Sequence, residues 1–168
     1  YTIGAIMQEL GFWFINDVIW QKSNPTPNFM GTRLNNSHET LIWATKSKKS
    51  KFTFNYKTAK ELNSEDNLFK SKKQMGSVWR FPVCSGAERL KDENGEKLHS
   101  TQKPLALLER IVAISSKIGD LVFDPFGGTG TTAHAAKMLG RDFFLIEKEQ
   151  KYVDFALKRL ENVKFIQS

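Results

Sequence analysis

Residues 121–147 constrain this chain more than any other stretch. Leu121-Val122-Phe123 is a short apolar run that reads as a buried strand. Asp124-Pro125-Phe126-Gly127-Gly128-Thr129-Gly130 then turns the chain, and Thr131 to Leu139 reads as a small-residue helix closed by Gly140. Phe143-Phe144-Leu145-Ile146 reads as a second buried strand ending at Glu147. Gly128 to Ala133 therefore matches G-x-G-x-x-A between a strand and a helix, with an acid 17 positions after Gly130. Only 21 residues follow Glu147, too few for the rest of a sheet, so the remaining strands are expected before the glycine loop, in permuted order.

The chemistry of such a loop is readable. Glycines let the backbone approach a ligand and tolerate positive φ. An acid at the end of the next strand can accept hydrogen bonds from both ribose hydroxyls. The pattern points to a nucleoside-containing cofactor, either a nicotinamide or flavin dinucleotide or S-adenosylmethionine. A tight turn with no ligand is the plain alternative. Asp124-Pro125-Phe126 departs from the dinucleotide pattern, which places its first glycine at the strand end.

Upstream, Ile3, Ile6, Met7 and Leu10 recur at helical spacing, and Gly11 is a plausible cap. Phe12 to Ile15, Val18 to Trp20 and His38 to Ala44 read as strands, separated by a Pro-rich loop at Asn24 to Asn28. Phe52 to Tyr56 alternates weakly and reads as a short strand. Residues 57–100 are polar and poorly periodic and read as a loop-rich lobe without a core of its own. Leu105, Leu107, Leu108, Ile111, Val112 and Ile114 mark a helix begun by Pro104.

Composition narrows the class. The 168 residues include 13 Phe and 4 Trp, enough apolar surface for one domain. No run approaches the ~20 apolar residues that span a bilayer. The single Cys84 excludes a disulfide framework and a multi-cysteine zinc site, reads as a buried small residue, and suits a reducing cytosol. No metal site is expected. Of the net charge of +7, residues 1–60 carry +5, and the Lys46–Lys73 window holds nine lysines against three acids. Such a local excess fits a polyanion partner or a solvated lysine loop.

Asp124-Pro125-Phe126-x-Gly128-x-Gly130-Thr131-Thr132 resembles the cofactor motif of the permuted (beta-class) amino-methyltransferases that act on DNA. His99-Ser100-Thr101-Gln102-Lys103-Pro104 resembles their other cofactor motif, in the place the permuted class requires. Asn16-Asp17-Val18-Ile19-Trp20 with Lys22, Asn24-Pro25 and Pro27-Asn28-Phe29 resembles the same class. So does Gly31-Thr32-Arg33 followed by His38-Glu39-Thr40-Leu41-Ile42-Trp43-Ala44. The likeness is strongest to HinfI-type and cell-cycle-regulated adenine methyltransferases, whose target is GANTC, and it covers nearly the whole chain.

The resemblance implies an α/β, Rossmann-like methyltransferase fold with permuted strand order. It implies S-adenosylmethionine as cofactor and double-stranded DNA as partner, with the target base flipped out of the stack. Residues 1–45 would give catalytic-side strands and a DNA-facing loop, 46–98 a target-recognition insertion, and 99–168 the cofactor-binding part. Phe126, Gly128, Gly130 and Thr131 would shape the turn beside the methionine moiety, and Glu147 would hold the ribose. Thr101 and Lys103 would approach the cofactor's carboxylate end. Asp124 would accept from its ammonium or only cap the loop. Arg33, His38, Lys46, Lys48, Lys49 and Lys51 would meet DNA, the lysines through phosphates. Arg80, Arg89 and Lys91 are candidates for base-edge readout.

The family's catalytic Asp/Asn/Ser-Pro-Pro-aromatic tetrapeptide is absent, since no two of the five prolines are adjacent. No catalytic residue is therefore assigned. The expectation is a C-terminal part of a longer protein, lacking an N-terminal segment and inactive alone. Family members are often dimers, so a second copy is a candidate partner. A bacterial cytoplasmic, nucleoid-associated setting follows from the resemblance. A cytosine amino-methyltransferase, a noncatalytic DNA- or cofactor-binding module and a dinucleotide oxidoreductase are the alternatives.

Overall fold

The computed structural model describes residues 2–65, 73–99 and 101–166. Lys70 and Lys72 of the lysine window and Ser100 of the second cofactor motif lie outside the described residues. Helix α1 (Thr2–Glu9) ends at Gly11, whose φ of 84° suits a left-handed cap. Strands β1 (Trp13–Lys22) and β2 (His38–Thr45) pair antiparallel, with Trp13 opposite Thr45 and Gln21 opposite His38. The two strand segments expected around residues 12–20 are thus one strand, carried past Ile15 by a register shift. Helix α2 (Tyr56–Glu65) follows, and β3 (Val78–Phe81) pairs parallel to β1, giving the order β2-β1-β3.

Helix α3 (Leu105–Ser115) leads to β4 (Leu121–Asp124), α4 (Thr131–Met138), β5 (Asp142–Leu145) and α5 (Gln150–Glu161). Strands β4 and β5 are parallel, as a β-α-β unit demands. The core gathers Val18, Trp20, Ala59, Trp79, Phe81, Leu107 and Ile114 from β1, α2, β3 and α3. The Arg110 guanidinium lies 4.4 Å from the Phe81 ring centroid, so even the buried cation of α3 packs on this core.

Three expectations are corrected. Phe52 to Tyr56 is not a strand: helix α2 begins at Tyr56, and Phe52 and Phe54 instead pack on Trp43, with centroids 5.9 and 5.5 Å away. Asn55 Nδ2 donates to the carbonyls of Ala113 and Ser116, tying this segment to the end of α3 rather than to a strand edge. The loop-rich reading of 57–100 misses α2 and β3, which supply Ala59, Trp79 and Phe81 to the core. Finally, β4 and β5 are not buried. Leu121, Phe123 and Phe144 are 66%, 54% and 56% exposed, and the two Phe rings stack on each other at 5.7 Å. Cys84 is buried, as expected.

Candidate functional site

The carboxyl ends of β4 and β5 open into a cleft of about 630 Å³. Position and size suit a small-molecule site in an α/β fold. Its floor is the glycine loop. Gly128 and Gly130 have φ of 51° and 77°, which side chains with a Cβ rarely adopt. A Cβ on Gly130 would stand 2.8 Å from Ala156 Cβ, so this glycine also lets α5 pack against the start of α4. The Gly127 N–H donates to the Ile146 carbonyl at 2.8 Å, fastening the loop to the end of β5.

Asp124 closes the loop from within. One oxygen accepts from the Phe126 N–H at 2.9 Å and the other from the Thr132 hydroxyl at 2.6 Å. Of its two expected roles, capping the loop is the one its contacts display. Glu147 stands across the cleft, where Oε2 accepts from the Gly128 N–H at 2.7 Å. Its Oε1 accepts from the N–H groups of Lys148 and Glu149 at 2.8 and 3.0 Å. The Glu149 N–H lowers its pKa below the ordinary 4.5, opposed by burial and helped by the Gly128 and Lys148 N–H groups and the nearby His99. The carboxylate is ionised at neutral pH, and with both lone pairs of Oε1 taken its free acceptor capacity lies on Oε2.

Phe126 is 87% exposed at the rim, an apolar plate beside the glycines. Thr131 lines the cleft, but its hydroxyl accepts from Arg159 at 3.0 Å, and Arg159 also donates to His134 Nδ1 at 2.9 Å. Thr131 thus couples the floor to α5. Thr101 and Lys103 also line the cleft, and Lys103 Nζ donates to Glu39 Oε2 at 2.8 Å. Of the eight residues expected at a cofactor site, Thr101, Lys103, Asp124, Phe126, Gly128, Thr131 and Glu147 line this one cleft; Gly130 faces Ala156 of α5 instead.

Two further residues join the site. His99 lines the cleft beside Gly128, edge-on to the Tyr152 ring at 4.8 Å, and its Nδ1 accepts from the Thr101 N–H at 3.2 Å. Its place in the motif was visible, but its neighbours were not. Glu39 reaches the site from β2, and nothing local in the sequence marks that contact.

The basic residues divide. Arg33 and His38 sit at the Glu39 end of the β1–β2 ladder, and Arg80 is exposed on β3 opposite Gln21 at the same end. Lys46, Lys48, Lys49 and Lys51 follow Thr45 at the other end, about 24 Å away along the strands. Lys48 Nζ lies 4.9 Å from the Trp13 ring centroid there. Arg89 donates to the carbonyls of Cys84 and His99 at 3.2 and 2.8 Å, so its guanidinium braces the loop leading to the cleft. Lys91 forms an isolated bridge with Lys97 in that same loop. Among the described residues no cluster of His, Cys, Asp and Glu could hold a metal ion, and no helix is long and apolar enough to cross a membrane.

The cleft suits a nucleoside cofactor with a charged tail, since an ionised carboxylate, a glycine loop, an exposed aromatic ring and an ammonium all border it. Comparison with known proteins agrees in kind. The family model described as DNA methylase matches residues 2–158. Type II methyltransferase M.HinfI of Haemophilus influenzae is 58% identical over 164 residues, which are 98% of this chain and 44% of that protein. Type II methyltransferase M2.DpnII of Streptococcus pneumoniae is 43% identical over 96% of this chain and 56% of its own. The chain thus spans about half the length of the curated relatives it matches. Among solved structures, the M1.HpyAVI–SAM complex superposes with a TM-score of 0.71 at 35% identity, covering 95% of this chain and 68% of that one.

Proposed function

The chain belongs to the DNA methylase family of N6/N4 amino-methyltransferases, and on that footing we propose that it is the cofactor-binding part of a DNA adenine methyltransferase with GANTC as its target. The observation that carries the reading is the cleft itself, where Glu147, the glycine loop and Lys103 surround one nucleoside-sized space. When bound there, S-adenosylmethionine supplies the electrophilic methyl group. The chain's own residues bind and orient. Glu147 accepts from the ribose through Oε2, Gly128 admits the backbone-close approach while Gly130 shapes the turn behind it, and Phe126 shields the rim from water. Lys103, with Thr101, meets the carboxylate end. Holding both reactants in line is the main source of rate in such a transfer.

Duplex DNA meets the Glu39 end of the sheet through Arg33, His38 and Arg80, and the lysine run Lys46 to Lys51 adds phosphate contacts at the far end. Target recognition belongs to residues 46–98, around the helix and strand they lend to the core. The adenine and GANTC assignments draw support from the 58% identity to M.HinfI. The 168 residues hold no Asp-Pro-Pro-aromatic segment, so by themselves they bind cofactor without turnover. Mapping N6-methyladenine in DNA exposed to the protein as its gene expresses it tests the reading. Methylation confined to GANTC is expected; methylated cytosine, or none, overturns it. Glu147→Ala should weaken S-adenosylmethionine binding at least about tenfold, near 1.4 kcal/mol, by calorimetry. Unchanged affinity removes the ribose assignment.

A further inference from the structure

Lys103 enters the cleft from the segment before α3, but what fixes its ammonium comes from a different part of the chain. Its Nζ donates to Glu39 Oε2 at 2.8 Å, across 64 residues of sequence. The other oxygen of Glu39 pairs with Lys22 Nζ at 3.0 Å. Both ammoniums also lie over one ring, 5.7 and 5.6 Å from the Trp20 centroid. That ring is fixed, because Trp20 is 2% exposed and its Nε1 donates to the Phe81 carbonyl at 3.0 Å.

Two like charges crowded on one ring repel each other, and the carboxylate between them is what permits the crowding. Burial raises the Glu39 pKa, but hydrogen bonds and charge from Lys103 and Lys22 outweigh it and bring the value below the ordinary 4.5. Lys22 is fully committed to the sheet side, its side chain 14% exposed, whereas that of Lys103 is 44% exposed and lines the cleft. An ammonium has three N–H donors, so the bond to Glu39 leaves two for a ligand.

We propose that Glu39 is a positioning residue of the cofactor site, holding Lys103 Nζ where its remaining N–H groups meet the carboxylate of the cofactor's methionine end. Without Glu39 the repulsion from Lys22 drives Lys103 off the Trp20 ring and away from the cleft. The inference rests on the reading that Lys103 takes that carboxylate.

The test compares two ligands in the protein as its gene expresses it. S-adenosylmethionine carries the carboxylate; decarboxylated S-adenosylmethionine keeps the ammonium and sulfonium but lacks it. By calorimetry, Glu39→Gln should weaken S-adenosylmethionine about two- to fivefold, the range of a partly exposed ion pair, and leave the decarboxylated ligand unchanged. Lys103→Met should lower the same preference, and adding Glu39→Gln to it should cost nothing more. Glu39→Asp should restore part of the preference. Equal loss for both ligands in Glu39→Gln means a merely structural role and overturns the proposal, as does tighter S-adenosylmethionine binding. If Lys103→Met leaves the preference intact, the carboxylate reading of Lys103 fails first, and the role of Glu39 fails with it.

Discussion

Gly130 bears two constraints at once. Its φ of 77° disfavours any Cβ, and a Cβ there would lie 2.8 Å from Ala156 Cβ on α5. Gly11 has a similar φ of 84° but open space around it. Gly130→Ala should therefore cost more than Gly11→Ala, about 1–3 kcal/mol beyond the shared backbone strain, read as a lower denaturant midpoint. Glu147 gives a pH dependence. Its pKa is lowered in the folded loop, so its anchoring of Gly128 is complete above 4.5 and is lost as pH falls below that through the lowered value. Cofactor affinity should stay flat from neutral pH down to about 5 and drop only in stronger acid, as fluorescence titration can follow. A midpoint near neutrality would assign the titration to another group. At this scale the sequence was informative where contacts are short in chain distance. The Asp124–Phe126 cap and the reach of Glu147 to Gly128 fall within one β-α-β unit. The Lys103–Glu39 pair and the bracing of Arg89 against His99 depend on how distant or irregular segments come together, which no local pattern encodes.

Helix α3 begins at a proline that offers no side-chain cap. The cap comes from elsewhere: the Leu105 N–H donates to Glu88 Oε1 at 2.6 Å, from a 3-10 turn 17 residues earlier. Gln102 fastens the same loop, donating to the Glu88 carbonyl and accepting from the Leu90 N–H. Glu88→Ala should cost about 1 kcal/mol of stability and speed amide exchange in the first turn of α3, measured by hydrogen exchange. Exchange accelerated evenly across the chain would argue against a capping role. The existence of most elements was legible from periodicity, including α1, α3 and α4. Element burial was not. An apolar parallel pair implies cover on both faces, but Phe123 and Phe144 stack on each other in the open. Strand β3 escaped notice because four residues alternating Val78, Trp79, Arg80, Phe81 are too short a signal inside a polar stretch. Phe52 and Phe54 alternate like a strand because both rings fold back onto Trp43.

Across the whole molecule, the β1–β2 ladder fixes how far apart the two basic groups can be. Arg33 and His38 stand at one end and Lys46 to Lys51 at the other. A straight duplex touching both must lie along the strands. About 24 Å of ladder corresponds to about seven base pairs at 3.4 Å each. On the proposed reading the footprint is then longer than GANTC, and the surplus is read as charge alone. Affinity by fluorescence anisotropy should climb as duplexes lengthen past about seven base pairs. Lys48→Ala with Lys49→Ala should flatten that climb and leave short duplexes unaffected. An equal loss at every length would place the lysines on the target itself. On the proposed reading, the spacing of two charged ends along one strand pair sets a ruler in base pairs, and flanking DNA of any sequence becomes part of what the protein measures.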